Sequence, residues 1–214
     1  MRKIDKILAF FLITLFSQQL KAQAINFIAG YSSSTFALIG DDTSSEGLKA
    51  KPGFHIGAST NIKIAKNLNF QPGLSFQSKG TKEDISNFGF SQKTSVNLYY
   101  LEIPLNLVGN FEINKKLSVY VSAGPYIGFG LSGNSESVIN VLGVVESTDE
   151  KIVWGTNFER LDFGLGLGTG LKYQNYLIGL SYDYGFANIA ADPPAGNYAR
   201  NTVFRLSIGY TINL

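Results

Sequence analysis

Few residues of this 214-residue chain have side chains that do chemistry. Its only histidine is His55, and it has no cysteine, which excludes disulfides, thiolate metal sites and a lipidated N-terminal cysteine. A Ser–His nucleophile needs hydrogen-bond reach and an orienting acid. Ser59 lies four residues from His55 in an alternating segment, about 13 Å along a strand, so it is a poor partner; a serine from a neighbouring strand remains open. No His, Asp or Glu cluster has metal-ligand spacing, and Asp41, Asp42 and Glu46 read as a solvated acidic loop rather than a Ca²⁺ site. The run DFGLGLGTGLKY, Asp162 to Tyr173, looks like a phosphate cradle. Nucleotide loops, however, place glycines at uneven offsets. Gly164, Gly166, Gly168 and Gly170 recur at every second residue, the side-chain repeat of a β-strand. The expectation is therefore no catalytic residue, no metal, no cofactor and no enzymatic activity.

The elements around these residues follow from composition and period. The chain has 23 Gly, 16 Phe and 11 Tyr, a charged fraction of 16%, a mean hydropathy of +0.06 and a formal charge of +2. No basic blocks with interleaved aromatics occur, which argues against a nucleic-acid partner. Residues 1–22 read as a secretory signal peptide. Arg2, Lys3 and Lys6 precede the apolar run Ile7–Phe16, and Ala22 and Ala24 are candidate cleavage positions. The run is too short for a membrane helix, which needs about 20 apolar residues. Residues 23–214 then form one exported domain.

Period two recurs along that domain and predicts eight strands, near 25–38, 53–64, 67–79, 95–111, 116–133, 162–173, 176–187 and 201–214. These are longer than the usual globular strand of about 5–6 residues and long enough to cross a bilayer, about 9–11 residues when tilted. Connections alternate long and short, as in an up-and-down barrel with loops outside the cell and turns in the periplasm. The fold class is all-β, an eight-stranded antiparallel transmembrane barrel in the bacterial outer membrane. A secreted lipocalin-like binder would put its apolar face inward. Here the apolar faces carry no charge, and the opposite faces hold Gly, Ser, Tyr and the charged residues. The four glycines are thus expected to line the lumen and make room for Tyr100, Tyr120 and Tyr126. Glu102, Arg160, Asp162, Asp183 and Arg205 share the lumen face and are expected to form a salt-bridge plug, since buried charges must be paired. A small solute channel is the alternative. Pro72, Pro104 and Pro125 interrupt three strands, and bulges are expected there.

Two further features concern partners. The loop 134–159 contains SVINVLGVVES and the only tryptophan, with Val138, Val141, Leu142 and Trp154 as candidate docking residues; the same run could be a hairpin continuing two strands above the membrane. Tyr99, Phe129, Tyr173, Tyr176, Tyr184, Phe186 and Tyr210 suit interfacial girdles against outer-membrane lipid.

The ordered motifs KPGFHIGAS (51–59), YYLEIPLNL (99–107), VSAGPYIGFGLSG (121–133), DFGLGLGTGLKYQN (162–175), LSYDYGFANI (180–189) and RNTVFRLSIGY (200–210) resemble the PorT-type outer-membrane β-barrel family. The resemblance covers nearly all of residues 23–214 and implies an eight-stranded barrel. It also implies, more loosely, a structural or accessory role beside another envelope or secretion-system protein. The C-terminal pattern Ser207, Gly209, Ile212, Leu214 is similar to the last-strand signal read by the barrel-assembly machinery, with Leu where Phe is usual.

Overall fold

The computed structural model describes residues 24–40, 47–192 and 197–213. The expected signal peptide 1–22, the acidic residues Asp41, Asp42 and Glu46, and Leu214 lie outside the described residues. The described residues form nine antiparallel strands. They are β1 Ala24–Ile39, β2 Leu48–Ala65, β3 Leu68–Asn87, β4 Phe90–Glu112, β5 Leu117–Val141, β6 Val144–Lys151, β7 Leu161–Tyr173, β8 Tyr176–Gly185 and β9 Tyr198–Asn213. Eight of them close a ring in the order β1-β2-β3-β4-β5-β7-β8-β9, sealed by β1–β9 pairing from Ala24↔Asn213 to Ile39↔Tyr198. Closure leaves no strand edge in hydrocarbon, where an unpaired backbone group would cost several kcal/mol. Strand β6 stands outside the ring and, among the described residues, pairs with β5 alone.

The pleat sorts the side chains inside out relative to a soluble barrel. Ile103, Leu107, Ile127, Phe129, Leu167, Ile178, Leu206 and Ile208 face outward and are exposed, while Glu102, Asp162 and Asp183 are buried inside. This polarity rules out the lipocalin-like arrangement. Aromatic residues mark both rims. Tyr176 and Tyr210 meet edge to face at 5.3 Å beside the β7–β8 turn, and Tyr184 and Phe186 do so at 5.9 Å near the other end. Short connections at 66–67, 113–116 and 174–175 share one end with both described strand termini, which makes that end periplasmic.

Lumen glycines set the wall spacing. A Cβ at Gly170 would lie 2.6 Å from the Tyr120 hydroxyl, one at Gly164 would lie 2.8 Å from the Tyr126 ring, and one at Gly166 would lie 2.7 Å from Asp183 Oδ1. The glycine face of β7 is therefore the space that inward tyrosines and an acid occupy.

Two expectations need correction. Strand register runs unshifted past Pro72, Pro104 and Pro125; Pro72↔Leu105, Pro104↔Tyr126 and Pro125↔Leu165 remain aligned. The prolines remove hydrogen-bonded rungs beside them without inserting a residue. Register shifts occur instead between Ala50 and His55, between Lys63 and Ala65, and at Tyr99/Tyr100, where Leu131 of β5 is the extra residue. Likewise, Gly80–Thr94 is mostly strand rather than loop. β3 and β4 run on together to Asn87↔Phe90, and β4 and β5 to Phe90↔Val141. With β6 they make a sheet that projects beyond the apolar belt, which ends on β5 at Leu131. The ten residues that follow reach about 34 Å at strand rise. Water on both faces removes the apolar alternation that marks the lower strands. On the sheet's flank, Lys49 donates to Asp84 (2.7 Å), a hydrogen bond that holds this exposed carboxyl below its usual range.

Replacing Gly170 by Ala is expected to destabilise the barrel by about 1–3 kcal/mol through overpacking. Urea titration followed by the gel-mobility difference between unboiled and boiled protein measures it. The outward change Leu171→Val should cost less than half as much.

Candidate functional site

The inward residues converge on one cluster in the outer half of the lumen. Lys79 of β3 is fully buried; its Nζ donates to Asp162 Oδ2 of β7 (2.8 Å) and lies 2.9 Å from Glu102 Oε2 of β4. The same ammonium sits over the rings of Tyr126 (4.5 Å) and Tyr100 (5.2 Å). Arg205 of β9 donates from Nη2 to Asp183 Oδ1 of β8 (2.7 Å) and from Nε to Ser181 (3.0 Å). Its Nη1 donates to Gln77 Oε1 (2.8 Å) and, more weakly, to Glu102 Oε1 (3.5 Å). Asn201 and Tyr126 complete the shell of Asp162 (2.9 and 3.5 Å). Glu102 thus joins the two cations, and the cluster links β3, β4, β7, β8 and β9 across the lumen.

Glu102, Asp162, Asp183 and Arg205 stand where their pleat positions place them. Arg160 does not join them. It precedes β7, which begins at Leu161, so the alternation does not extend to it. Its guanidinium lies over the outward Phe129 ring (5.5 Å) and near Trp154 (5.8 Å). The cation that sequence reasoning missed is Lys79. It shares the odd positions of Asn69, Gln71, Ser75 and Gln77, and that parity could have found it.

An apolar cap closes the lumen above the cluster. Phe36, Leu98, Tyr100, Ala187, Ile189 and Ala199 form its core, with Trp154 and Phe158 folded down onto it. Trp154 meets Tyr100 edge to face at 5.8 Å and rests on Gly130, where a Cβ would collide with the indole. Backbone bonds from Glu159 to Ile189 (2.9 Å) and from Ile152 to Gly133 (2.9 Å) tie this segment down. Trp154 is therefore a lid residue rather than an outward docking residue. Val138, Val141 and Leu142 are exposed on the projecting sheet.

Below the cluster lies a cavity of about 140 Å³ with a mixed lining, in which Asn26, Asn61, Gln71 and Ser207 stand beside Ile28, Leu74 and Leu180. His55 is buried beside it, and Ser207, not Ser59, is its partner (Nε2···Oγ 2.9 Å). Among the described residues His55 Nδ1 has no partner, so none of their acids orients the ring as the third member of a nucleophilic triad. Among the described residues no cluster of three His, Cys, Asp or Glu could hold a metal. On β9, Ser207 and Gly209 face inward, with Gly209 opposite Ile28 and Leu177, and Ile212 faces out.

Lys79→Met is expected to cost about 3–5 kcal/mol by leaving Asp162 a buried charge without a cation and Glu102 with only its long contact to Arg205. Adding Glu102→Gln and Asp162→Asn should recover part of that loss. Arg160→Ala should cost no more than about 1 kcal/mol, the scale of an exposed cation–π contact. Denaturant midpoints of the refolded variants measure all three.

A family profile described as "Outer membrane protein beta-barrel domain" matches residues 16–191. Solved structures with similar chain traces include Ail, the attachment invasion locus protein of Yersinia pestis, in complex with the heparin analogue sucrose octasulfate. It is 17% identical, with 90% of this chain and 100% of that chain covered and a TM-score of 0.42. Neisserial surface protein A is 14% identical, with 87% and 95% covered and a TM-score of 0.43. The outer membrane protease OmpT from Escherichia coli is 9% identical, with 91% and 97% covered and a TM-score of 0.49. A comparison with curated protein sequences returns no match.

Proposed function

The chain belongs to the outer membrane protein beta-barrel domain family, and from that premise we propose that this outer-membrane barrel is a non-enzymatic platform whose projecting sheet docks another envelope protein. The observation that carries the reading is the sheet of β3, β4, β5 and β6. It stands clear of the membrane and ends in apolar residues that none of the described residues covers. Phe88 at the β3–β4 turn is fully exposed, Leu142 at the β5–β6 turn is 82% exposed, and Val141, Val144 and Val145 surround them. Exposed apolar residues clustered in this way mark interaction sites. Strand β6 adds an open backbone edge, of the kind that receives an added strand. Its Glu146, Asp149 and Glu150 favour a partner strand with basic side chains.

The charge cluster and cap support a structural barrel over a solute path, because they fill the section through which a solute would pass. Work beside a secretion apparatus, which the PorT-type resemblance implies, is the narrower form of the same proposal. Insertion by the barrel-assembly machinery through Ser207, Gly209, Ile212 and Leu214, and girdle contacts with outer-membrane lipid, belong to it too.

A photocrosslinking residue at Leu142 or Val145, in cells with an intact envelope, is expected to capture one dominant envelope protein. The same residue at Trp154 is expected to capture none. Equal yields from both positions, or none from the sheet tip of a correctly inserted barrel, would refute the platform reading.

A further inference from the structure

The projecting sheet has two unlike faces. Unshifted register from Ser78↔Tyr99 to Asn87↔Phe90, and from Tyr99↔Ser132 to Phe90↔Val141, carries side-chain parity up from the barrel wall. One face therefore continues the lumen side, on which Lys79 and Leu98 are buried and Val96 packs against the cap. Above Val96 this face presents Ile85, Phe90, Ile139, Val141 and Val144, at least one from each of β3, β4, β5 and β6. Ile85, Val141 and Val144 are exposed. Its charged side chains are Glu83, Glu146 and Glu150, acids without a base. The opposite face, which continues the lipid side, sets Lys82, Lys93 and Lys151 against Asp84, Glu136 and Asp149.

The two sets of acids are also spent differently. Asp84 takes the Lys49 ammonium, and the Asn134 amide donates to Glu136 (3.0 Å) and Asp149 (2.9 Å). No ion pair among the described residues involves Glu83, Glu146 or Glu150. We propose that the lumen-side face of the sheet is the docking surface, and that its occupant is a partner-protein segment with an apolar stripe flanked by Lys or Arg. This rests on the platform reading and assigns its face and its partner's chemistry. Charge argues against two other occupants. A second copy of the chain would set the same acids against one another, and a lipid surface, neutral or negative, offers them no counter-charge. Size argues for a segment rather than a whole domain. Four strands about 4.8 Å apart and the rise from Thr81 to Asn87 give a face of about 19 Å by about 24 Å. That is roughly half of the ~800 Å² that a standard interface buries on each partner, and it accommodates one helix about 10 Å across.

The test uses the full barrel in nanodiscs of zwitterionic lipid. The chain has no cysteine, so Thr148→Cys and Ser147→Cys each carry one trifluoromethyl tag, on the lumen-side and lipid-side faces of β6. The probe is an amphipathic helical peptide with leucines on one side and lysines on the other; its control keeps the leucines and exchanges every lysine for glutamate. The lysine peptide is expected to shift the ¹⁹F resonance at 148 saturably, at least tenfold more tightly than the glutamate peptide, and to leave 147 unmoved. Glu146→Gln with Glu150→Gln should weaken it severalfold, and Lys93→Gln on the other face should not. Equal binding of the two peptides, or equal shifts at the two positions, overturns the proposal. So does a shift at 148 that grows with barrel concentration alone, which marks a second copy, or one caused by added empty nanodiscs, which marks lipid. The sheet-tip crosslink in cells decides the platform independently. A captured partner with peptide binding blind to face and charge leaves the platform standing and overturns the face assignment; no capture and no peptide binding overturns both.

Discussion

The ammonium of Lys79 between Glu102 and Asp162 is the contact on which the rest of the lumen depends. Those three groups are fully buried, and they come from β3, β4 and β7. None of the three can be exposed to water without opening the wall, and removing Lys79 takes the close cation from both acids. Glu102 then extends the contact to Arg205 and Asp183, so that strands distant in the ring share one set of ion pairs. Register follows from this. A one-residue slip in any of these strands would turn its charge outward into lipid.

The other features of the interior arrange themselves around that centre. The glycine face of β7 leaves room for the Tyr184 and Ile178 carbonyls of β8, for Tyr120 and Tyr126, and for Asp183, all of which a Cβ would meet. The cap of Trp154, Phe158 and Ile189 shields the ion pairs from the outer medium and raises their mutual attraction. Below them amides and hydroxyls mix with apolar side chains around a cavity. Outside the membrane the constraint lapses. There β3, β4, β5 and β6 continue as a free sheet whose residues answer to water and to a partner rather than to a lumen.

Much of this architecture was legible because the bilayer imposes a strict code. Outward positions between the rims must be apolar, so Leu101, Ile103, Leu105 and Leu107 mark β4 as plainly as Phe204, Leu206 and Ile208 mark β9. The same code failed where its cause is missing. Lys82–Asn87 and Asn134–Ser137 carry no alternation, because both faces of the sheet meet water, and they read as loops. Lys79 sits where the apolar pattern of β3 stops, so its parity with Gln77 passed unnoticed. Arg160 shows the converse error, since its even number matched Asp162 although the strand had not yet begun. Three prolines in neighbouring strands suggested inserted residues, but a proline removes a donor and need not shift a register. The bulge that matters, at Leu131, has no proline and lies where the barrel wall becomes the free sheet.

The central claim is that paired charges and an apolar lid close this barrel across its width. The most direct measurement is ion conductance of the purified, refolded protein in a planar bilayer. The account predicts a silent membrane for the native chain at concentrations where its insertion is verified by the unboiled gel band. Large, steady, reproducible openings of the native protein would contradict it and make the lumen a pathway.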